Sequence, residues 1–153
     1  MAALLAALLL GAIPVRPIAD APRLAAEVGK GGPAVLHFWA TWCGACVDEF
    51  PRLRGELKKL GGRGVHVALV SIDRPADRAR VEAFLERFGL QDLQSLILDA
   101  PDPDPVARAV GDKRWDGTLP ATFLFDARGK LVQGFIGRTR PAALDAAVRK
   151  LAR

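Results

Sequence analysis

Two cysteines stand two residues apart in Trp39-Ala40-Thr41-Trp42-Cys43-Gly44-Ala45-Cys46, and they are the only cysteines in 153 residues. The apolar run Ala34-Val35-Leu36-His37-Phe38 precedes them and reads as a buried strand; a helical pattern follows at once. A Cys-x-x-Cys pair at a strand-to-helix turn can close a disulfide within one helical turn. The partial positive charge at the helix N-terminus stabilises a thiolate on the first sulfur. This is the chemistry of thiol–disulfide exchange. Zinc needs about four ligands. With no further cysteine and two histidines, both in strand-like runs, no metal site is expected.

The elements that must position this pair follow from the hydrophobic pattern. A strand is expected over 34–40 and a helix over 43–60, with Val47, Phe50, Leu53, Leu57 and Leu60 as its apolar stripe and a kink at Pro51. Residues 65–72 are almost continuously apolar, as in a central parallel strand covered on both faces. Val81, Phe84, Leu85 and Phe88 recur at helical spacing before Gly89. A short strand over 93–98, a short helix from Asp104 to Gly111, a hairpin over 121–136 and a last helix through Leu144, Val148 and Leu151 complete the chain. Residues 14–33, rich in Pro, Gly and Ala, read as a linker plus a lead-in element. Right-handed crossovers turn this order into an α/β fold with a central mixed sheet and helices on both faces. It is the order of a thioredoxin-like fold with an insertion before the hairpin.

Composition bounds the rest. Half the residues are hydrophobic and a quarter charged, which is enough apolar material for one self-sufficient core. The formal charge of +5 comes without a long run of like charges or a basic face interleaved with aromatics, so no nucleic-acid partner is expected. Met1 to Ile13 is apolar but shorter than the roughly 20 residues of a spanning helix. It has the length of a signal-peptide core, and Ala19-Asp20-Ala21 offers a small-x-small cleavage site, although no Lys or Arg precedes the run. Residues 1–21 are therefore expected to be a signal peptide or short membrane anchor, residues 22–153 the folded domain, and the location periplasmic or otherwise extracytoplasmic.

Two segments together resemble the TlpA/ResA type of extracytoplasmic thioredoxin-like thiol–disulfide oxidoreductases. One is Phe38-Trp39-Ala40-Thr41-Trp42-Cys43-Gly44-Ala45-Cys46-Val47-Asp48-Glu49-Phe50-Pro51; the other is Gly117-Thr118-Leu119-Pro120-Ala121-Thr122-Phe123-Leu124-Phe125-Asp126, followed by Gly129-Lys130-Leu131-Val132. The resemblance implies Cys43 as the attacking and Cys46 as the resolving thiol. It implies that Pro120 is a cis-proline opposite the dithiol, with Leu119 presenting its backbone to an extended substrate and Thr118 also at the substrate-binding surface. Glu49, one turn after Cys46, would either manage the proton of the buried thiol or stand as a solvated helix glutamate. His37 departs from the acid or Asn usual at its position; it would either shuttle a proton to Cys46, titrating near neutrality, or sit silent in the core. Trp42 would shield the dithiol and form part of the docking surface. Trp39 is expected in the core, Trp115 either at the edge of the substrate site or packed down, and His66 in a structural role.

The implied activity is reduction of protein disulfides by a monomer. It needs no cofactor beyond the cysteine pair and draws electrons from a membrane dithiol protein, with apocytochrome c thiols among the substrates. Gly-Thr-Leu-Pro stands where the cytochrome-maturation branch often has Gly-Ala-Pro-Glu. An oxidase or isomerase is an alternative, because Gly-Ala between the cysteines leaves the potential open over roughly −270 to −120 mV. A non-catalytic binding or copper-chaperone module is the alternative of another class. The Pro-x-x-x-Thr-x-x-Cys pattern of peroxiredoxins is absent.

Overall fold

A computed structural model describes residues 12–151. In chain order they form β1 (Val15–Pro17), α1 (Ala21–Gly29), β2 (Ala34–Trp39), α2 (Gly44–Gly61), β3 (His66–Ser71), α3 (Arg78–Arg87), β4 (Gln94–Asp99), α4 (Asp104–Val110), β5 (Ala121–Phe125), β6 (Leu131–Ile136) and α5 (Pro141–Leu151). The strands make one six-stranded sheet in the order β1-β4-β3-β2-β5-β6. β1, β4, β3 and β2 run parallel, and β5 and β6 are added antiparallel. The thioredoxin-like order is thus realised.

β2 lies inside the sheet and all six of its residues are buried. Alternate side chains go to opposite faces. Val35 and Trp39 pack under α2, α3 and α5, whereas Ala34, Leu36 and Phe38 pack under α1 and α4. This two-sided cover is why the strand reads as a continuous apolar run. His37 shares a face with Val35 and Trp39, so it points toward α2, where its ring meets Phe50 edge-on with centroids 5.3 Å apart.

The buried stripe of α2 comprises Cys46, Glu49, Phe50, Leu53, Leu57 and Leu60. Val47, expected on that stripe, is only half-buried, and Glu49 occupies a core position. The helix continues through Pro51 to Gly61. The lead-in is more structured than its composition suggests. Val15–Pro17 pair in parallel with Ile97–Asp99, and α1 buries Leu24, Ala25 and Val28. The folded unit, expected from residue 22, thus takes in β1 as well. A three-residue edge strand ending in Pro is too short for periodicity to reveal, and its partner lies far along the chain. Most of the apolar segment Met1 to Ile13 lies outside the described residues. Among the described residues no helix is long and apolar enough to cross a membrane.

Candidate active site

β2 ends at Trp39, whose carbonyl accepts the N–H of Ile72 at 2.9 Å. The chain then turns into α2, and the turn is clamped. Asp73, buried just past the end of β3, accepts from the Thr41 N–H at 2.9 Å, the Thr41 hydroxyl at 2.5 Å and the Ser71 hydroxyl at 2.7 Å. Cys43 follows as the N-cap of α2, and its Sγ accepts the Cys46 N–H at 3.2 Å. Cys43 and Cys46 form a disulfide with a Cα–Cα separation of 5.3 Å. Cys43 lies at the surface end of the pair and is 8% exposed; Cys46 is fully buried. The first sulfur therefore has both the approach and the helix N-terminus, and the second must be reached through it. Trp42 beside them is 64% exposed, unusual for so large an apolar side chain.

The opposite wall comes from the loop entering β5. Ala121 pairs with Phe38, so Pro120 lies one residue beyond, at the sheet end where β2 turns toward the cysteines. The Leu119–Pro120 peptide is cis. The Pro120 carbonyl accepts the Gly137 N–H at 2.8 Å, and Leu119 packs against the cores on both faces of the sheet. Thr118 is exposed, with its N–H and hydroxyl held by Asp116. Trp115 does not rim the site. It is buried against Phe38 and Phe123, and its indole N–H donates to the Thr118 carbonyl at 2.8 Å, anchoring the loop from below. Trp39 is in the core as expected, and His66 is exposed at the start of β3.

Beneath the disulfide the core carries a polar group of four buried side chains, His37, Glu49, Thr122 and Thr139. Glu49 Oε2 accepts the Thr139 N–H. His37 Nδ1 lies 2.8 Å from the Thr122 hydroxyl, and His37 Nε2 lies 3.5 Å from Glu49 Oε1. Burial pushes the Glu49 carboxyl up to about 7, against the pull of the Thr139 N–H and the Arg138 charge. Burial pushes His37 down to about 3, so the ring stays neutral at neutral pH. Of the two readings left open for His37, burial favours the uncharged core histidine, and the value near 7 belongs to Glu49. Glu49 and Cys46 share the buried stripe one turn apart, which places the acid on the side of the helix that Cys46 faces.

Of the residues expected at the site, Cys43, Cys46, Glu49 and His37 form one block, and Trp42, Thr118, Leu119 and Pro120 lie at the same end of the sheet. Asp73, Thr122 and Thr139 were not expected. Thr122 had a signal, as the one polar residue of an otherwise apolar strand; Asp73 and Thr139 act through contacts 32 and 90 residues apart in sequence. A hollow of about 580 Å³ lies over Asp104, Arg108, Asp112 and Trp115, and neither cysteine lines it. Among the described residues no three His, Cys, Asp or Glu side chains converge as metal ligands.

Comparison with known proteins adds the family. The AhpC/TSA family model matches residues 21–133. A thiol-disulfide oxidoreductase ResA from Bacillus subtilis (strain 168) is 30% identical over 113 residues, covering 71% of this chain and 55% of that protein. A ResA from Geobacillus thermodenitrificans is 37% identical over 109 residues, covering 71% and 56%. The chain therefore spans about half the length of these curated relatives. In fold it is similar to a DsbF homologue from Corynebacterium diphtheriae, with a TM-score of 0.66 at 20% identity over 79% of this chain and 73% of that one. The resemblance to the TlpA/ResA type read from the two motifs is borne out.

Proposed function

This chain belongs to the AhpC/TSA family, and from that membership and the geometry of its cysteines we propose that it is a thiol–disulfide oxidoreductase of the ResA type that reduces protein disulfides outside the cytoplasm. The observation that carries the reading is the pairing of an approachable Cys43 at the N-cap of α2 with a buried Cys46 above a buried acid. In the reaction, the Cys43 thiolate attacks one sulfur of a substrate disulfide lying along Leu119-Pro120. The substrate S–S bond breaks, its second sulfur leaves and takes a proton, and a mixed disulfide forms. Cys46 then gives up its proton to Glu49 and attacks Cys43 Sγ. The first substrate sulfur leaves as the second thiol, and the protein is left as the Cys43–Cys46 disulfide. The substrate gains two electrons and the protein loses two. A membrane dithiol protein supplies them back, and no cofactor beyond the cysteine pair takes part.

Exposed Trp42 beside Cys43 suits a protein substrate better than a small one. Apocytochrome c thiols are the substrate suggested by the resemblance, with Gly-Thr-Leu-Pro as the feature that sets this chain apart. The export reading rests on the apolar start of the chain, and the chain acts as a monomer. The test is the reduction potential of the pair, measured by equilibrating the protein in thiol/disulfide buffers and counting free thiols. A value below about −220 mV supports a reductase. A value above about −180 mV makes the disulfide the reactive form and turns the reading to an oxidase or isomerase. A protein with no reversible couple and tight Cu(I) binding is a metal-handling module. Cys43→Ser is expected to abolish turnover of a disulfide substrate.

A further inference from the structure

The four buried polar side chains are wired in one direction. The Thr139 hydroxyl donates to the Thr122 hydroxyl at 3.0 Å. Thr122 has a single hydrogen to give. With the Thr139 hydroxyl donating to it, the acceptor that lies within reach of that hydrogen is His37 Nδ1 at 2.8 Å, and the direction of this bond depends on the His37 tautomer. A neutral imidazole carries one N–H, so an Nδ1 that accepts leaves the proton on Nε2. Nε2 faces Glu49 Oε1 at 3.5 Å, and neither atom has another partner. The other carboxyl oxygen, Oε2, is already held by the Thr139 N–H. Every donor in the chain thus points toward Glu49, which favours its ionised form against the burial that opposes it.

We propose that the hydroxyls of Thr139 and Thr122 are positioning groups that hold the His37 imidazole with its proton on Nε2, aimed at Glu49, and so set how tightly this acid holds its own proton. Three elements bring the chain together. His37 lies on β2, Thr122 opposite it on β5, and Thr139 in the turn between β6 and α5. The groups around Glu49 are His37 from β2, Thr139 and Arg138 from that turn, and Cys46 one turn earlier on α2; Arg138 is itself paired with the exposed Asp48 at 3.2 Å. When Glu49 takes a proton on Oε1, that proton and the one on Nε2 oppose each other. Relief requires the imidazole to move its proton to Nδ1 and Thr122 to turn its hydrogen away. Taking up the Cys46 proton therefore costs a rearrangement that reaches the turn beside Pro120, through Thr139. The consequence for turnover rests on the proposed role of Glu49 as the acid that serves Cys46.

The experiment is NMR of the oxidised full chain, which needs no turnover. Two-bond nitrogen–proton correlations of the His37 ring read its tautomer, and the Glu49 carboxyl carbon shift read against pH gives its midpoint. The Nε2–H tautomer is expected at pH 8. Thr122→Val is expected to raise the Glu49 midpoint by about half a unit or more, and Thr122→Ser to leave it in place. An Nδ1–H tautomer in the unmodified protein overturns the proposal, as does an unchanged midpoint in Thr122→Val. If Thr122→Val does not fold, the tautomer of the unmodified protein decides alone. Absence of a reversible cysteine couple would sink the reductase reading without touching this result, so the two failures are distinguishable.

Discussion

Two buried carboxylates sit within reach of the active-site helix, and their surroundings make them opposites. Asp73 is 1% exposed, and both its oxygens are filled by three donors from Thr41 and Ser71. Glu49 is 4% exposed; one oxygen has a single backbone donor, and the other faces a neutral imidazole at 3.5 Å. A carboxylate with both oxygens answered is an anchor, since each donor would be orphaned by its loss. One with an unanswered oxygen is poised to exchange a proton, because the neutral form costs it less than the charged one. Burial alone does not separate the two roles; the count of donors does.

The comparison breaks most readily at Asp73. Asp73→Ala leaves the Thr41 N–H and two hydroxyls without an acceptor, and loss of stability is expected to be about 3 kcal/mol. Denaturant unfolding of the oxidised protein measures it. The turn before Cys43 is released as well, so alkylation of the reduced Cys43 thiol should slow at pH 7. A stability within about 0.5 kcal/mol of the unmodified protein would show that the clamp is ornamental.

A smaller effect with a distinctive shape is expected at Glu49. Its folded value, about 7, lies above the ordinary 4.5, so the folded state keeps the proton longer. Its contribution is full below about pH 4.5 and is lost as pH rises through about 7. His37, lowered from 6.5 to about 3, has the reverse sign: its contribution is present above 6.5 and is lost as pH falls toward 3. Between about pH 4.5 and 6.5 the two oppose each other. Glu49→Gln removes one of them, and stability should then fall more steeply on acidification than in the unmodified protein. Parallel stability curves for the two proteins would contradict the assignment.

The smallest change is expected in the rate of disulfide reduction. Glu49→Gln should flatten its dependence on pH around 7, where the carboxyl titrates, while His37→Asn should displace the profile rather than flatten it. A flat profile in His37→Asn alone would return the proton-handling role to the histidine.

The amino-acid sequence by itself determined a great deal of this protein. Local pattern placed nearly every strand and helix, because a strand covered on both faces must be apolar throughout and a helix on a sheet must repeat its apolar residues every three or four positions. The spacing of Cys43 and Cys46, with a strand before and a helix after, pointed to thiol–disulfide chemistry without any tertiary information. The edge strand Val15–Pro17 escaped because its one partner, Ile97–Asp99, is remote and three residues carry no period. Tertiary structure alone decided the protonation of the site. His37 and Glu49 are ordinary titratable residues until β2, α2, β5 and the turn after β6 bury them together, and the sign and size of each shift depend on desolvation and on donors such as Thr139, 90 residues away. The same holds for Asp73, whose meaning is the turn it clamps 32 residues earlier in the chain. Sequence spacing determines which groups can react; only packing decides how many hydrogen bonds each receives, and that count sets where the protons go.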